Sequence, residues 1–482
     1  MGWIEQWRGL SVLKCMAARL VSVDRDTPLL LPPSLRDWVP ADHLVHFILD
    51  AVDALDLRQV QINTRGTGSE QYPPAMLLGL LIYSYATGTF SSRRIEQSTY
   101  DSVPVRLLTA DTHPDHDTLC TFRRENKDLL TESFVRVLQL AQQLKLLQFG
   151  QLTVAADGTK VLAHASKHSA VSYQRAEEMI EQLEAEVKQL LAKAEQADAT
   201  PLHDGLSIPE EITRRQERKA ALAKARAEIE ARAHTRYALE LAEHEKKLAD
   251  RGARKERGEK LGGKPPKAPT PEPDAKDQHN FTDPESRIMK AGNGQHFEQS
   301  YNAQAAVEVQ SRLIVGQRVS QAPNDKQELA PTLASIPASA GPVAVALVDS
   351  GFYSEAAVQQ VEAPADGKAS GPTVYAAVEK TGHHRSVNDL EVKPEPEPPA
   401  VGASMTDVMR HRLQTSAGKT LYKLRQQTIE PVFGIIKSVL GFRQFRLRGR
   451  EKVSLEWTLV CLAYNLKRLH RLGAGLKLGA TN

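Results

Sequence analysis

Three acidic residues stand in settings where carboxylates could act together. Asp157 and Asp349 each end an apolar, β-favouring run next to a Gly turn, whereas Glu430 lies on a helical pattern inside a basic segment. Carboxylates gathered beside positive charge suit metal-assisted phosphodiester chemistry, and hard Mg²⁺ prefers such oxygen ligands. The hypothesis is therefore DNA cleavage and joining, with these three acids as catalytic residues and metal ligands.

The pattern around Glu430 predicts a two-sided helix. At 100° per residue, Lys437 lies within about 20° of Glu430 and Tyr422 within about 80°. The opposite, apolar stripe consists of Ile429, Val432, Phe433, Ile436 and Leu440. Pro431 disfavours helical geometry at Glu430, so the helix is predicted to begin near Thr428 or to kink there. An ordinary surface Glu–Lys pair would show the same local pattern.

An arginine-rich segment follows this helix. It interleaves Arg443, Arg446, Arg448 and Arg450 with Phe442 and Phe445. Arginines held by an apolar anchor could neutralise phosphates, with an affinity that falls steeply with salt. From residue 401 onward there are 15 Lys+Arg against 4 Asp+Glu, so this part carries +11 and the rest of the chain about −8. Such a split favours a local polyanion-binding surface over a solvated tail, which would lack the interspersed apolar residues.

Elements that could position these residues alternate along the chain. Residues 149–168 and 281–482 read as strand, strand, strand, helix, strand, helix, strand, helix, which is the order of a ribonuclease-H-like α/β fold with a mixed sheet. Val154 to Asp157 is predicted to turn at Gly158 into a second strand that continues to His164. Asp157 and Asp349 should then meet at neighbouring strand ends, and a closing helix could bring Glu430 across.

The remaining segments are predicted to be helical or flexible. Residues 1–148 form a helical N-terminal domain for DNA binding or dimerisation. Its Asp/His-rich stretch from Asp111 to Asp117 is interpreted as the start of a helix, with Asp115 or Asp117 as the cap, rather than as a metal cluster. Residues 169–250 form an inserted antiparallel helical hairpin with nearly balanced charge, which favours an interaction arm or a spacer over a DNA role. Residues 251–280 are predicted to be a flexible linker.

The cysteines and the apolar runs argue against disulfide-stabilised, zinc-binding and membrane-spanning proteins. Three widely spaced cysteines support neither a disulfide framework nor a zinc site, and they fit a reducing cytoplasm. The longest apolar run, from Ala75 to Ala86, is too short to span a bilayer. A cytoplasmic protein without a membrane role is therefore expected.

The chain resembles the DDE transposases of bacterial insertion sequences, of the cut-and-paste type with a Tyr-Arg-Glu-Lys signature. The motifs that carry the resemblance are Tyr72-Pro-Pro-Ala-Met-Leu-Leu, Asp157-Gly-Thr-Lys160, Tyr301-Asn-Ala-Gln304, Asp349-Ser-Gly-Phe352 and Glu430-Pro-Val-Phe-Gly-Ile-Ile-Lys437. Together and in this order they are far more specific than any one of them alone.

The resemblance implies that Asp157, Asp349 and Glu430 bind two Mg²⁺ or Mn²⁺ ions. It implies DNA contacts from Tyr422, Arg425 and Lys437, to which the basic segment adds Arg443, Arg446 and Arg448. The signature usually has three residues between its Arg and Glu, whereas this chain has four. Terminal inverted repeats and target DNA are the implied partners, with a homodimer in the synaptic complex.

The predicted function is therefore a transposase that cleaves DNA at element ends and transfers the ends to target DNA. Two alternatives use the same residues differently. One is a ribonuclease-H-like host nuclease without strand transfer, and the other is a domesticated DNA-binding or coiled-coil protein that has lost catalysis. The presence of all three acids favours an enzyme.

Overall fold

The computed structural model describes residues 34–55, 57, 60, 71–147, 150–195, 207–258, 265–291, 294, 296–363, 371–378, 394–400 and 402–473. Among the described residues before 144, helices dominate, as predicted: α1 (Leu44–Asp53), α2 (Pro74–Ala86), α3 (Ser92–Asp101), α4 (Val103–Leu108), α5 (His116–Glu125) and α6 (Lys127–Gln143). The first 33 residues of the predicted N-terminal domain lie outside the described part. The side chain of Asp115 caps α5 by accepting from the Thr118 amide (2.6 Å), so the Asp/His-rich stretch does begin a helix.

A mixed sheet follows. Its strands are β1 (Leu152–Leu162), β4 (Arg287–Lys290), β5 (Phe297–Glu308), β6 (Ile314–Ser320), β7 (Val343–Val348) and β8 (Thr373–Ala376); β2 (Ala170–Ser172) and β3 (Gln278–Asn280) form a separate pair. The spatial order is β6-β5-β1-β7-β8, and β4 pairs with the beginning of β5. The β1–β5 and β5–β6 pairs are antiparallel, and the β1–β7 and β7–β8 pairs are parallel. The later helices are α9 (Leu329–Ala334), α10 (Glu355–Glu362), α11 (Met405–Gln414), α12 (Ser416–Gly434) and α13 (Arg450–Arg471).

The predicted turn at Gly158 is wrong, because β1 is one continuous strand. It pairs with β5 without interruption from Val154 opposite Glu308 to Leu162 opposite Ser300. Gly158 does not adopt a positive φ. A glycine in a strand can also mark a close approach by other groups, and that is its role here.

Polar side chains crowd against Gly158. Asn302 and Gln304 donate from their amides to one oxygen of Asp325, at 2.7 and 2.6 Å. A methyl group on Gly158 would overlap Gln304 and lie 2.8 Å from the Asn302 oxygen. Both amide side chains are fully buried, so they have no solvent into which to move.

The final helix, α13, joins the sheet to the N-terminal helices in one apolar core. On the sheet side, the indole of Trp457 donates to the Gln304 carbonyl (3.0 Å), and the side chain of Asn465 bonds both the N–H and the C=O of Ile314. On the helical side, Lys467 donates to the Ala86 carbonyl at the end of α2 (2.6 Å). The position of α13 therefore fixes the two parts of the chain relative to each other.

A buried polar network lies at the centre of this junction. Glu456 of α13 is fully buried and accepts the hydroxyl of Tyr85 (3.1 Å) and the amides of Arg446 (2.9 Å) and Leu447 (3.0 Å). Arg123 donates to the Tyr85 hydroxyl (2.9 Å). Burial raises the pKa of Glu456 against the opposing effect of the nearby Arg123 charge. Glu456 thus ties the arginine-rich segment to α2 and α5.

The insertion consists of two helices, α7 (Tyr173–Glu195) and α8 (Ile208–Glu256). They pack antiparallel, because contacts pair early residues of α7 with later residues of α8, as in Tyr173 with Glu230 and Glu186 with Arg215. We call this hairpin the arm. Helix α8 extends six residues past the predicted end at Asp250, and β3 lies within the predicted linker, of which residues 259–264 are outside the described part.

Replacing Glu456 should destabilise the protein strongly. Glu456→Ala leaves the Tyr85 hydroxyl and two amides without their acceptor in a buried site, which we expect to cost about 3–5 kcal/mol. Chemical denaturation measures the loss. Glu451→Ala is the control, since Glu451 is on the same helix, is exposed and pairs with Lys127; it should leave stability nearly unchanged. Equal losses in the two variants would contradict the role given to the network.

Gly158→Ala should also destabilise, because the added methyl group overpacks a buried site. We expect a loss of about 1–3 kcal/mol. The control is Gly252→Ala in α8, where a Cβ meets nothing within 4 Å; helix propensity should make this change stabilising by up to about 1 kcal/mol. Thermal unfolding of both variants provides the comparison. A Gly158→Ala protein as stable as the wild type would show that the cluster can move aside.

Candidate active site

The three acids come from three elements that meet at the middle of the sheet. Asp157 lies halfway along β1, Asp349 directly follows β7, and Glu430 lies in α12, which packs on β1 and β7. The parallel β1–β7 pairing ends at Ala155 opposite Leu347. Two further residues along each chain bring Asp157 level with Asp349, as the strand order predicts.

Strand β1 has an uncovered stretch at this point. On one side β5 pairs with its whole length from Val154 onward. On the other side β7 stops at Ala155, and the next partner is the Arg443–Phe445 segment, which hydrogen-bonds to Leu162. In the described part of the chain, no strand covers residues 157–160 on that side. Asp157 therefore sits in a gap at the centre of the sheet, where a substrate phosphate could approach.

The charge of Asp157 is poorly compensated. Burial raises its pKa to about 7, with a further contribution from the negative charge of Asp349. Arg425 and the Gly158 amide, which donates to Asp157 at 2.8 Å, act in the opposite direction. Asp349 accepts the Gly351 amide (2.8 Å), which fixes its side chain in the turn after β7. Because these two carboxylates repel each other, a cation between them would stabilise the site.

Arg425 is the cation that the chain itself supplies. Its guanidinium lies 3.5 Å from Asp157 and 3.6 Å from Glu430, so it links the two acids. The side chains of Asp157 and Arg425 are 20% and 11% exposed, whereas that of Glu430 is 56% exposed. One guanidinium nitrogen, Nε of Arg425, is buried without a hydrogen-bond partner. Arg425 is therefore held by charge more than by hydrogen bonds.

Helix α12 differs from its prediction near Pro431. It begins at Ser416, capped by Thr415, and it passes through Pro431 instead of starting near Thr428. The missing donor of Pro431 is tolerated at one position, since the flanking Ile429 and Val432 are fully buried and hold the helix on the sheet. The predicted apolar stripe is confirmed: Ile429, Val432, Phe433, Ile436 and Leu440 are all buried.

A π-helical turn follows at Ile435–Val439, where the Leu440 amide bonds to the carbonyl of Ile435. The wider turn shifts Lys437 from the position that 100° spacing gives. Its ammonium donates to the Lys160 carbonyl (2.8 Å) on the uncovered edge of β1, whereas Glu430 faces Arg425. Burial lowers the pKa of Lys437, and the charges of Arg443 and Lys160 lower it further.

Tyr422 also contacts the backbone next to an acid. Its hydroxyl donates to the carbonyl of Val348 (3.1 Å), the residue before Asp349. Burial raises the pKa of Tyr422. In this arrangement Tyr422 supports the end of β7.

The arginine-rich segment has the predicted anchor. Phe442 and Phe445 are fully buried, whereas Arg443, Arg446 and Arg448 are exposed. Arg443 donates to the Lys437 carbonyl (3.0 Å) and Arg448 to the His164 carbonyl (3.0 Å). The segment thus lies along the end of β1 with its guanidinium groups at the surface.

Two charged neighbours were not singled out from the sequence. Asp325, in the loop after β6, adds to the upward shift of the Asp157 pKa. Lys160 has a buried ammonium without a hydrogen-bond partner, and burial lowers its pKa against the attraction of Asp325. The Asp-Gly-Thr-Lys run already contained Lys160, whereas Asp325 stands in a polar loop with no pattern to mark it.

The donor set fits hard divalent ions, since the paired carboxylates of Asp157 and Asp349 are oxygen ligands with uncompensated charge. Glu430 turns towards Arg425 in the present arrangement. Accordingly, among the described residues no group of three or more His, Cys, Asp or Glu side chains is spaced to hold a metal ion. Over the same residues, no helix is both long and apolar enough to cross a membrane.

Two family models match separate parts of the chain. A family model described as "Transposase DDE domain" matches residues 394–470, which include Glu430, Arg425 and the arginine-rich segment. A second, described as "Transposase domain (DUF772)", matches residues 33–125 of the helical region. No curated protein and no solved structure matches the chain. The two matches at opposite ends of the chain agree with the resemblance seen in its motifs, and together they support a DDE transposase of the insertion-sequence type.

Proposed function

We propose that this transposase carries out metal-dependent cleavage at the ends of its element and transfers those ends to target DNA. The main support is the grouping of Asp157 and Asp349 in the gap of β1, with Arg425 connecting Asp157 to Glu430. The strand order β6-β5-β1-β7-β8 supports a ribonuclease-H-like catalytic domain, formed by residues 149–168 and 281–482.

Asp157, Asp349 and Glu430 are the proposed ligands for two Mg²⁺ or Mn²⁺ ions. Bound ions would stabilise charge on the attacking and leaving oxygens and make a bound water more acidic. Binding would require Glu430 to leave Arg425, and its exposed side chain has the freedom to do so. The raised pKa of Asp157 supports the assignment, because added positive charge would relieve its repulsion with Asp349.

The other residues of the site would position DNA. Once Glu430 turns away, the guanidinium of Arg425 is available to a phosphate oxygen, for which its planar donors are suited. Lys437 and Arg443 border the gap in β1, and Tyr422 holds the end of β7. The same site serves two reactions in sequence, since water attacks phosphorus during cleavage and a DNA 3′-hydroxyl attacks during strand transfer.

The outer arginines would extend the contact with the DNA backbone. Arg446 and Arg448 are exposed next to the site, and buried Phe442 and Phe445 hold their segment in place. Synapsis of two ends requires at least two catalytic sites, so a homodimer is proposed. The helical N-terminal region, residues 1–148, is proposed to contribute to DNA binding or dimerisation.

Replacing Glu430 should abolish catalysis without abolishing DNA binding. Glu430→Gln keeps the shape of the side chain but removes the anionic ligand, and we expect cleavage to fall by about 10³-fold or more, equivalent to several kcal/mol. The assay uses the purified protein with Mg²⁺ and a labelled DNA fragment carrying the element end. It scores nicked and strand-transfer products separately, which distinguishes a transposase from a host nuclease.

Glu451→Gln is the matched control, since Glu451 is exposed on α13 away from the acids. It should cleave like the wild type. Unchanged cleavage by Glu430→Gln would contradict the assignment of the three acids. Cleavage by the wild type without strand transfer would favour the host nuclease.

Arg446 should contribute to affinity for DNA of any sequence. Arg446→Ala is expected to weaken binding uniformly and to reduce the slope of log K against log salt by about 1. Fluorescence anisotropy with labelled duplexes of two unrelated sequences measures both quantities. Lys247→Ala, at an exposed residue paired with Glu243 on the arm, should leave the slope unchanged. An Arg446→Ala slope equal to that of the wild type would remove Arg446 from the DNA surface.

A further inference from the structure

A basic pocket lies where the arm leaves the sheet. It encloses about 510 Å³ and is lined by His168, Ser169, Ala170, Val171, Arg175, Met179, Arg218, Ala221, Leu222 and Phe281. We call it the arm-base pocket. It combines residues of α7 and α8 with residues next to the β2–β3 pair, so it exists only because the hairpin folds back on itself.

The lining carries positive charge without any acidic residue. Arg175 and Arg218 are exposed, and within the described part of the chain neither lies in ion-pair distance of a carboxylate. Glu186, whose pKa is lowered partly by Arg218, is already hydrogen-bonded to Arg215 at 2.8 Å. The two guanidinium groups are therefore available to an outside anion.

Several other charges of the hairpin are paired between its two helices. Lys219 contacts Glu184 at 2.7 Å, and Arg226 lies 3.5 Å from Glu177. These two acids are thus held by cations of the facing helix. A nearly neutral arm can thus present one cationic site.

The pocket floor is apolar. Leu222 is buried, Met179 is partly buried against the same cluster, and Phe281 is 46% exposed at the rim. Apolar surroundings reduce screening by water, so a guanidinium beside them attracts an anion more strongly than one on an open surface. They also offer a surface for the sugar of a nucleotide.

The arm-base pocket continues the basic surface of the active site. The chain leaves β1 at Leu162 and passes His164, whose carbonyl accepts from Arg448 and whose pKa is lowered by burial and by the charges of Arg448 and Arg446. The residues that follow His164 contact the pocket region. Asn280 donates to the Ser166 carbonyl (2.8 Å), and the Phe281 amide donates to the Ser169 carbonyl (2.9 Å). The segment from His164 to Ser169 therefore connects the arginine-rich segment to the lining of the arm-base pocket.

We propose that the arm-base pocket binds the phosphodiester backbone of the DNA that extends from the cleavage site, with Arg175 and Arg218 each contacting a phosphate. This rests on the proposed function, and it gives the insertion a role that its balanced composition conceals. The acid-free lining and the continuity with Arg446 and Arg448 favour a polyanion of regular phosphate spacing.

The test compares the DNA affinity of a double variant in the pocket with that of a control double variant that loses the same charge elsewhere on the arm. Removal of two phosphate contacts by Arg175→Ala/Arg218→Ala should raise Kd by about 10- to 30-fold and lower the salt slope by about 2. A labelled mixed-sequence duplex is titrated in metal-free buffer between about 50 and 200 mM salt, with anisotropy as the readout. Arg175→Lys/Arg218→Lys should recover most of the affinity, because Lys retains the charge.

The matched control is Lys188→Ala/Arg214→Ala, which also removes one exposed cation from each arm helix but outside the pocket. It should change Kd by less than about threefold, since screening weakens distant surface charges. Wild-type affinity in the pocket variant, or equal losses in both doubles, would overturn the pocket as a DNA site. If the wild type binds the duplex and processes element ends while the pocket variant binds normally, only this inference fails. If the wild type binds no DNA, the proposed function fails with it.

Discussion

The partial pairing of β1 is the constraint on which the candidate site depends. Strand β5 holds β1 along one edge, while β7 and the Arg443–Phe445 segment cover only the two ends of the other edge. The backbone groups left between them need other partners, and Lys437 supplies one at the Lys160 carbonyl. Unpaired backbone groups in the middle of a sheet are costly. Here they lie beside two carboxylates, at the position proposed for the substrate phosphate.

The charges beside the gap are partly balanced by the protein itself. Asp157 and Asp349 repel each other in a partly buried site, and Arg425 offsets part of that repulsion by linking Asp157 to Glu430. A cation provided by the protein keeps the three elements together, yet its contacts of 3.5 and 3.6 Å are longer than good hydrogen bonds. Such loose pairing suits the exchange of partners that is proposed for Arg425 on binding of metal and DNA.

The sequence predicted most of the sheet because local pattern and strand order agree. The strand before Asp349 follows from its apolar run, and the order alone placed Asp157 next to Asp349. The errors arose where tertiary packing outweighs local preference. Gly158 suggests a turn but gives room to Gln304, and Pro431 suggests a break although buried neighbours hold α12 together.

The composition of the insertion does not tell which of its charges remain unpaired. A helical insertion with balanced charge looks inert towards DNA, because a count treats every acid as equally available. In the folded arm, acids such as Glu184 and Glu186 are bound to cations of the facing helix, whereas Arg175 and Arg218 point to a pocket without acids. The field near a surface depends on which charges remain unpaired there, and it falls off over about 10 Å at ordinary salt. Net charge is therefore a poor guide to binding for a paired-helix insertion, and the position of each ion pair is the better one.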